Sequence, residues 1–372
     1  MTVENNVNRL RESRGISAAQ LASAVGVSRQ TIYAIESGEY IPNTAIALKL
    51  AQTLESRVED LFRLESAEAL PLKVERVKLL MRSGGLRAGQ PVQLCAVDEQ
   101  IVAVPSEPNI WSLSQADGIA VEDAKGATAR LKVQVVADGW KDERRLLLAG
   151  CDPGVSVLAR HLRRQGTELV IAHQNSSRAL QLLKQGMVQV AGTHLRDDET
   201  GESNLSAISK MFRKDTIAVF SFTLWEEGLV VAPGNPKKIR SITDLVRKDV
   251  TITNRDHGSG SRLLLDALIR RAGLRSTMIR GYDRITPGHL AAARLVQEGK
   301  VDCCINMRAT AHSLGLDFVS LVSERYDLVV RRKHLQLPSV EALFDTLSRA
   351  ALRRELEGIG GYDMSQAGKR LI

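Results

Sequence analysis

The chain carries 372 residues, with 51 Lys and Arg against 43 Asp and Glu for a formal net charge of +8, and it is 44% apolar and 25% charged. That length allows two or three domains with their own cores, and the balance is that of an ordinary soluble protein rather than a disordered or fibrous one. No apolar signal core follows MTVENNVNRLRE and no run of about 18 apolar residues occurs, which argues against a leader and a spanning helix and points to a cytoplasmic protein without a membrane partner.

Asn5 to Arg14 supplies a first helix. The stretch ISAAQLASAVGVSRQTIYAIESGEYIP, residues 16–42, then specifies two short helices joined by a tight turn. Ser17 is an N-cap for a helix with Leu21, Ala22 and Val25 on one face, Gly26 supplies the positive φ that ends it, and Ser28 caps the next helix. In that second helix Ile32 and Ile35 point inward, which leaves Arg29, Gln30, Thr31, Tyr33 and Ala34 on the outer face or its flanks. These residue types read base edges and phosphates: Arg for guanine, Gln for adenine, small apolar groups for the thymine methyl. A helix over Asn43–Leu54 and a closing turn at Val58–Phe62 let the whole segment bury one small core. Any two short amphipathic helices around a glycine share the central pattern, so the flanking helices are what make it a DNA-binding helix-turn-helix.

Val7 to Leu64, with LA…VGVSRQTIYAIESGEYIP in its most specific part, resembles the Cro/repressor type of helix-turn-helix domain, the xenobiotic-response-element family. The resemblance implies base contacts from Arg29, Gln30 and Ala34 and phosphate contacts from Ser17, Thr31, Tyr33 and Asn43, with Ser28 at the start of the same helix, on double-stranded operator DNA. Residues 1–64 hold seven basic and seven acidic side chains. A neutral head makes few phosphate contacts, so binding is expected to rely on a homodimer.

Glu65–Leu70 (ESAEAL) reads as a polar connection, after which VKLLM, PVQLCAV, QIVAV, GIAVE and ARLKVQVV appear as short β-like runs punctuated by Gly84, Gly85, Gly89, Pro105 and Gly118. They suggest a small β-rich connector that could be a spacer, a dimer surface or a coupler. From Arg145 the pattern alternates: RLLLAGC, ELVIAHQ, VQVAGTHL, GLVVAPG, VTITNR, VDCCIN, LDFVSLV and YDLVVRR as strands, with intervening helices that include Ser241–Val246, Ser261–Gly273 and Gly288–Gly299. Such alternation predicts parallel strands with crossover helices and a site at the strand-to-helix junctions. The junctions are Asp152-Pro153-Gly154, Asn175-Ser176-Ser177-Arg178 and the segment NRDHGSGSR from Asn254 to Arg262. Helix N-termini with glycines, Ser hydroxyls and Arg forks favour an anion, although each set of Ser, Asn and Asp can also be a routine cap.

Leu146 to Tyr362, with NSSRALQLLKQGMVQVAGTHL, LVVAPGNPKKIRSITDL, NRDHGSGSR, HLAAARLVQEGKVDCCI and LFDTLSRAALRRELEGIGGYD, resembles a type 2 periplasmic-binding-protein domain of the molybdate/tungstate-binding kind. The resemblance implies that Ser176 and Ser177 at one helix start, and Gly258, Ser259, Gly260 and Ser261 at another, hold an oxyanion flanked by Arg255 and Arg262. Thr193 and His194 would line the same cleft. Asp152 stands where many such binders offer Ser or Thr, and a carboxylate facing an anion is unfavourable unless an arginine pairs with it.

His161, His173, His312 and His334 fit no ligand spacing, whereas His257 and His289 sit beside glycines in the cleft regions; no metal or other cofactor is read. Cys95, Cys151, Cys303 and Cys304 show no CxxC spacing and read as structural thiols, with a redox role for the Cys303–Cys304 pair as the alternative. No GxSxG, Walker A, HExxH or dinucleotide fingerprint is present, so an enzyme is not expected. The expectation is a multidomain one-component regulator: an all-α helix-turn-helix head (1–66), a β-rich connector (67–144) and a two-lobed α/β sensor of periplasmic-binding-protein type (145–372). Its effector would be a small anion, molybdate- or tungstate-like or an organic carboxylate. The alternative is a regulator whose large domain contacts another protein and has no small-molecule effector.

Overall fold

The computed structural model describes residues 3–64, 73–81, 84–107, 113–126, 129–197 and 201–372, with the side chains of Glu4, Arg63 and Leu64 left aside. The ESAEAL connection and the first residues of the β-rich segment lie outside these. Two compact units result, 1–72 and 73–372.

In the first unit β1 (Val3–Asn5) leads into α1 (Val7–Ser13), α2 (Ala18–Val25), α3 (Arg29–Glu36), α4 (Thr44–Thr53) and α5 (Val58–Leu61), and β2 (Phe62–Leu64) closes it by pairing antiparallel with β1. This strand pair was not foreseen; it shortens the first helix expected over Asn5–Arg14. The boundaries at the centre follow local chemistry. The Ser17 hydroxyl accepts from the Gln20 amide while the Gln20 side chain accepts from the Ser17 amide, a reciprocal cap. Gly26 stops α2 at φ 79, a conformation that glycine adopts without strain. Ser28 caps α3 by accepting from Thr31, and Asn43 caps α4 by accepting from Ile46. Leu21, Val25, Ile32, Ile35, Leu50, Leu54 and Leu61 fill the core. One polar contact fixes α3 against α1: Arg11 Nε and Nη2 donate to the two carboxylate oxygens of Glu36 at 2.6 and 3.2 Å, and Arg11 Nη1 also donates to the Ile16 carbonyl.

The second unit opens with β3 (Val74–Leu79), β4 (Gly85–Leu86), β5 (Pro91–Val97), β6 (Gln100–Pro105), β7 (Gly118–Ala120), β8 (Ala124–Lys125) and β9 (Arg130–Val135). Five of these close a barrel in the order β3-β6-β5-β7-β9, while β4 pairs with β8. Alternation along the strands puts Val77, Leu79, Leu94, Ala103, Leu131 and Val133 inside with Trp140. The opposite faces carry Leu80, Cys95, Val97, Val102 and Val104, which share a core with Leu147, Val170, Leu183 and Val329 of the following α/β region. Arg145 anchors this packing with both Nη atoms on the Asp117 carboxylate, at 2.9 and 2.7 Å.

The α/β region comprises β10 (Arg145–Gly150), α6 (Val155–Arg163), β11 (Glu168–His173), α7 (Ser176–Lys184), β12 (Val190–Thr193), α8 (Leu205–Met211), β13 (Ile217–Val231), β14 (Ile252–Thr253), α9 (Gly260–Arg271), α10 (His289–Gln297), β15 (Cys303–Met307), α11 (Arg308–Ser313), β16 (Asp317–Arg331), α12 (Pro338–Ser348), α13 (Ala350–Ile359) and β17 (Tyr362–Asp363). Strand order is β11-β10-β12-β16-β13-β15-β14. The expected all-parallel sheet is corrected here: β10 pairs parallel with β11 and β12, and β14 with β15, but β12–β16, β13–β16 and β13–β15 are antiparallel. LDFVSLV and YDLVVRR, read as two strands because polar residues interrupt the apolar run, are one 15-residue strand. β13 is equally long, and the expected GLVVAPG strand is only its end.

Those two strands make the architecture two-lobed. One lobe uses Ile217–Ser221 of β13 and 327–331 of β16 beside β12, and the other uses Glu227–Val231 of β13 beside β15. Register shifts at Ser221/Thr223 and Glu227/Gly228 mark where the ribbon passes between them. Among the described residues no helix is long and apolar enough to cross a membrane.

The Arg11–Glu36 contact is the testable element of the head, because the two side chains are only 12% and 8% exposed. Removing one partner leaves the other charge poorly solvated, so Glu36→Ala should destabilise residues 1–72 by about 2–3 kcal/mol. Native-state hydrogen exchange should show faster exchange of the α3 amides with the protection of β13 and β16 unchanged; undiminished α3 protection would contradict the assignment.

Candidate functional site

On the head, α3 exposes Arg29, Gln30 and Tyr33, with Thr31 and Ala34 half-buried beside them. Arg29 lies over the Tyr33 ring at 5.3 Å from its centroid and donates to the Tyr33 hydroxyl from Nε at 3.1 Å and Nη2 at 2.7 Å. The guanidinium fork is therefore held against the outer face of α3. Ser17, Ser28 and Asn43 occupy the N-caps of α2, α3 and α4. The free N–H groups of such helix starts suit phosphate oxygens without any basic blanket.

The second constellation lies where the lobes meet. The N-terminal ends of α7 and α9 face each other across the junction. The Ser177 amide donates to the Gly258 carbonyl at 3.3 Å, and Asn175 Nδ2 donates to Asp256 Oδ2 at 2.7 Å and to the His257 carbonyl at 3.1 Å. Ser176, fully buried, accepts from the His194 amide at 3.1 Å. Gly260 packs so closely on His194 that an added Cβ would stand 2.2 Å from the His194 carbonyl oxygen. Sequence reading thus named residues that the fold brings together: Ser176, Ser177, His194, Gly258 and Gly260.

The hydroxyls of Ser259 and Ser261 are already engaged within the protein. Ser259 donates to the Asp256 carbonyl and accepts from the Arg262 amide, which is a cap's work. Ser261 donates to Glu227 Oε1. The Thr193 hydroxyl is buried without a partner among the described residues. The two arginines differ. Arg262 directs Nε to Asp266 at 3.2 Å and lays its guanidinium over the Tyr282 ring at 4.1 Å. Arg255 is 2% exposed, and among the described residues none of its three guanidinium nitrogens has a hydrogen-bond partner; the Asp256 carboxylate stands 3.9 Å from Nε. A buried guanidinium in that state has donor capacity that a ligand could satisfy.

Among the described residues Asp152 pairs with no arginine. Its Oδ1 accepts from the Tyr362 hydroxyl at 2.8 Å and the Gly154 amide at 2.7 Å, which fixes the turn before α6. Burial pushes its carboxyl up to about 6, against the pull of those two donors.

Several cleft residues were not foreseen. Trp225 and Glu227 of β13, and Glu324 and Tyr326 of β16, project from the crossing ribbon around His194. His194 Nδ1 is 2.9 Å from Glu324 Oε2 and 3.8 Å from Glu227 Oε2, and its ring meets Trp225 edge-on at 5.1 Å. Burial pushes the Glu227 carboxyl up to about 8, with Glu324 adding to the effect and His194 and Ser261 opposing it. Burial acts to lower the His194 imidazole, but adjoining Cys151, Glu324 and Glu227 outweigh it and hold the ring well above its usual value. Two triples bring ligand-type atoms within 4.8 Å of one another: Cys151, His194 and His289, and His194, Glu227 and Glu324. The signal in the sequence was an acidic residue inside an apolar strand, in TLWEEGLVV and VSERYDLVV.

A family model described as a PBP superfamily domain matches residues 159–348, and one described as a helix-turn-helix matches residues 7–61. The uncharacterised Bacillus subtilis protein YvgK is 32% identical over 228 residues, 61% of this chain and 73% of its own length. The uncharacterised helix-turn-helix-type transcriptional regulator YgzD of B. subtilis is 43% identical over 63 residues, 17% of this chain and 96% of its own. Among solved structures, the sulfate-binding protein SubI of Mycobacterium tuberculosis aligns over 59% of this chain and 86% of its own at 17% identity and a TM-score of 0.45.

The close approach at Gly260 gives a direct check on the lobe contact. Gly260→Ala forces a methyl against the His194 backbone and should destabilise residues 73–372 by about 1–3 kcal/mol. Denaturant unfolding should show a lower midpoint for that unit; an unchanged midpoint would mean that the lobes do not meet there.

Proposed function

We propose, for a chain that belongs to the PBP superfamily through residues 159–348 and carries a helix-turn-helix head at 7–61, a cytoplasmic transcription regulator whose operator binding is set by a small anion. Both matched families are binding modules rather than enzymes, and a helix-turn-helix regulator is what the head is.

Arg255 carries the reading. A guanidinium withdrawn from water with none of its nitrogens partnered among the described residues is unfavourable by itself and becomes favourable when an anion takes its donors. The N-termini of α7 and α9 add partial positive charge at the same junction. An oxyanion there meets Ser176, Ser177, Thr193, Gly258, Ser259, Gly260 and Ser261, and must compete with Glu227 for the Ser261 hydroxyl. Since Asp152, Glu227 and Glu324 are also near His194, a ligand with a proton to share, such as hydrogen phosphate or a hydroxycarboxylate, fits better than fully deprotonated molybdate or tungstate.

The head reads DNA through Arg29, Gln30 and Ala34, with Ser17, Thr31, Tyr33 and Asn43 on phosphates. Because residues 1–64 are electrically neutral, two heads on a palindromic site are required for specific affinity.

A thermal-shift panel of the full chain with molybdate, tungstate, sulfate, phosphate and small carboxylates identifies the ligand class. Calorimetry with the best of them should show affinity falling about ten- to a hundredfold in Arg255→Ala, the loss of a charge-assisted donor, and a smaller change in Arg262→Ala, whose Nε Asp266 already holds. No stabilising anion, or wild-type affinity in Arg255→Ala, would favour a protein-contacting role for the large domain. For the head, Arg29→Ala and Gln30→Ala should each cost about 1–3 kcal/mol at the operator and relax preference at one base pair. Unchanged affinity and preference in gel shifts would remove both from the reading surface.

A further inference from the structure

We propose that Cys151, His194 and His289 form a binding site for a thiophilic divalent metal ion of the Zn²⁺ class, joining the two lobes. It does not rest on the anion reading, since Arg255 takes no part in it.

The three ligand-type atoms lie within 4.8 Å of one another, close enough for a small rotation of each side chain to give a common coordination sphere. They come from separate segments. Cys151 follows β10 and His194 follows β12, in one lobe, and His289 begins α10 in the other. An ion bound to all three would therefore tie the lobes together.

Each imidazole is oriented by an oxygen at its Nδ1. His194 Nδ1 meets Glu324 Oε2 at 2.9 Å, and His289 Nδ1 meets Asn306 Oδ1 at 2.9 Å. The Asn306 amide cannot be turned over, because its Nδ2 donates to the His289 carbonyl at 2.8 Å and its Oδ1 accepts from the Met307 amide at 2.9 Å. His289 Nδ1 must then carry the hydrogen, which places the ring's lone pair on Nε2. Glu324, acceptor-only when ionised, likewise takes the Nδ1 hydrogen of His194, so an entering ion displaces the hydrogen that Nε2 of that ring carries. A carboxylate or amide oxygen on Nδ1 with Nε2 turned to the ion is the arrangement that raises ligand basicity and holds ring direction in metal sites. His194 is 1% exposed and its Nε2 has no hydrogen-bond partner among the described residues.

The donor set selects the metal. One thiolate with two imidazoles suits Zn²⁺ and its borderline neighbours and is a poor match for Mg²⁺ or Ca²⁺, which want oxygen. Entry is open: Cys151 and His289 line the end of a cavity of about 860 Å³ between the barrel and the lobes. The other candidate triple, His194 with Glu227 and Glu324, is weaker, because Ser261 and the Nδ1 of His194 already occupy its carboxylates.

The test uses the full chain, stripped with a chelator and titrated with Co²⁺, whose thiolate charge-transfer and tetrahedral ligand-field bands report Cys and geometry. A single saturable site with a thiolate band is expected, displaced by Zn²⁺. The thiolate band should vanish in Cys151→Ser, and Co²⁺ affinity should fall about tenfold or more in His289→Ala and in the orienting variant Glu324→Gln, with Arg255→Ala unchanged. Circular dichroism checks that each variant folds. As a measure on the wild-type fold, Zn²⁺ should protect Cys151 from alkylation by iodoacetamide. Absence of a thiolate band, its persistence in Cys151→Ser, or alkylation of Cys151 indifferent to Zn²⁺ would overturn the site, and none of these bears on anion binding.

Discussion

The antiparallel pairing of β13 with β16 is the constraint on which the rest of the C-terminal unit depends. It runs from Ile217↔Arg331 to Val231↔Asp317, so one ribbon belongs to both lobes. Its ends reach the two lobe cores, with Val219 and Val329 in one and Leu229 and Val231 of β13 in the other. Its middle must carry polar groups wherever it crosses the junction, and it places Glu227 and Glu324 there with Trp225 and Tyr326. Buried carboxyls in such a place are tolerated only with partners, which His194 and Ser261 provide. Cleft chemistry and lobe connectivity are thus two consequences of the same pair of strands.

How much of this was legible in the sequence depended on whether the signal was local. The caps at Ser17 and Ser28 and the stop at Gly26 were readable because capping is chemistry between residues three or four apart. The long strands were not. Period and apolar runs locate buried strand ends, but the polar centre of VSERYDLVV reads as a loop unless the partner strand is known. The same blindness hid the His194–Glu324 and Arg145–Asp117 contacts, which join residues 130 and 28 positions apart. Arg255 and Arg262 looked alike in NRDHGSGSR, and only tertiary neighbours separate them: Asp266 takes Nε of Arg262 and Tyr282 lies under its guanidinium, leaving Nη1 spare, whereas all three guanidinium nitrogens of Arg255 lack a partner among the described residues.

The barrel acquires a role from its packing. Its outer face shares a core with β10, β11 and α7 of one lobe, and its cavity wall faces Gly288–Ala291 at the start of α10 in the other. A rearrangement of the lobes would change that cavity while leaving the shared core intact. In the proposed regulator, a ligand acts on DNA binding only through different affinities for two such arrangements, and the effect must be reciprocal between effector and operator.

That reciprocity can be measured in one titration. Fluorescence anisotropy of labelled operator with the full chain, with and without a saturating concentration of the most stabilising panel anion, measures the coupling directly. The anion should change operator Kd by roughly 5- to 150-fold, and Arg255→Ala should keep the ligand-free Kd while losing the response. An operator Kd indifferent to the anion, or a full response in Arg255→Ala, would contradict it.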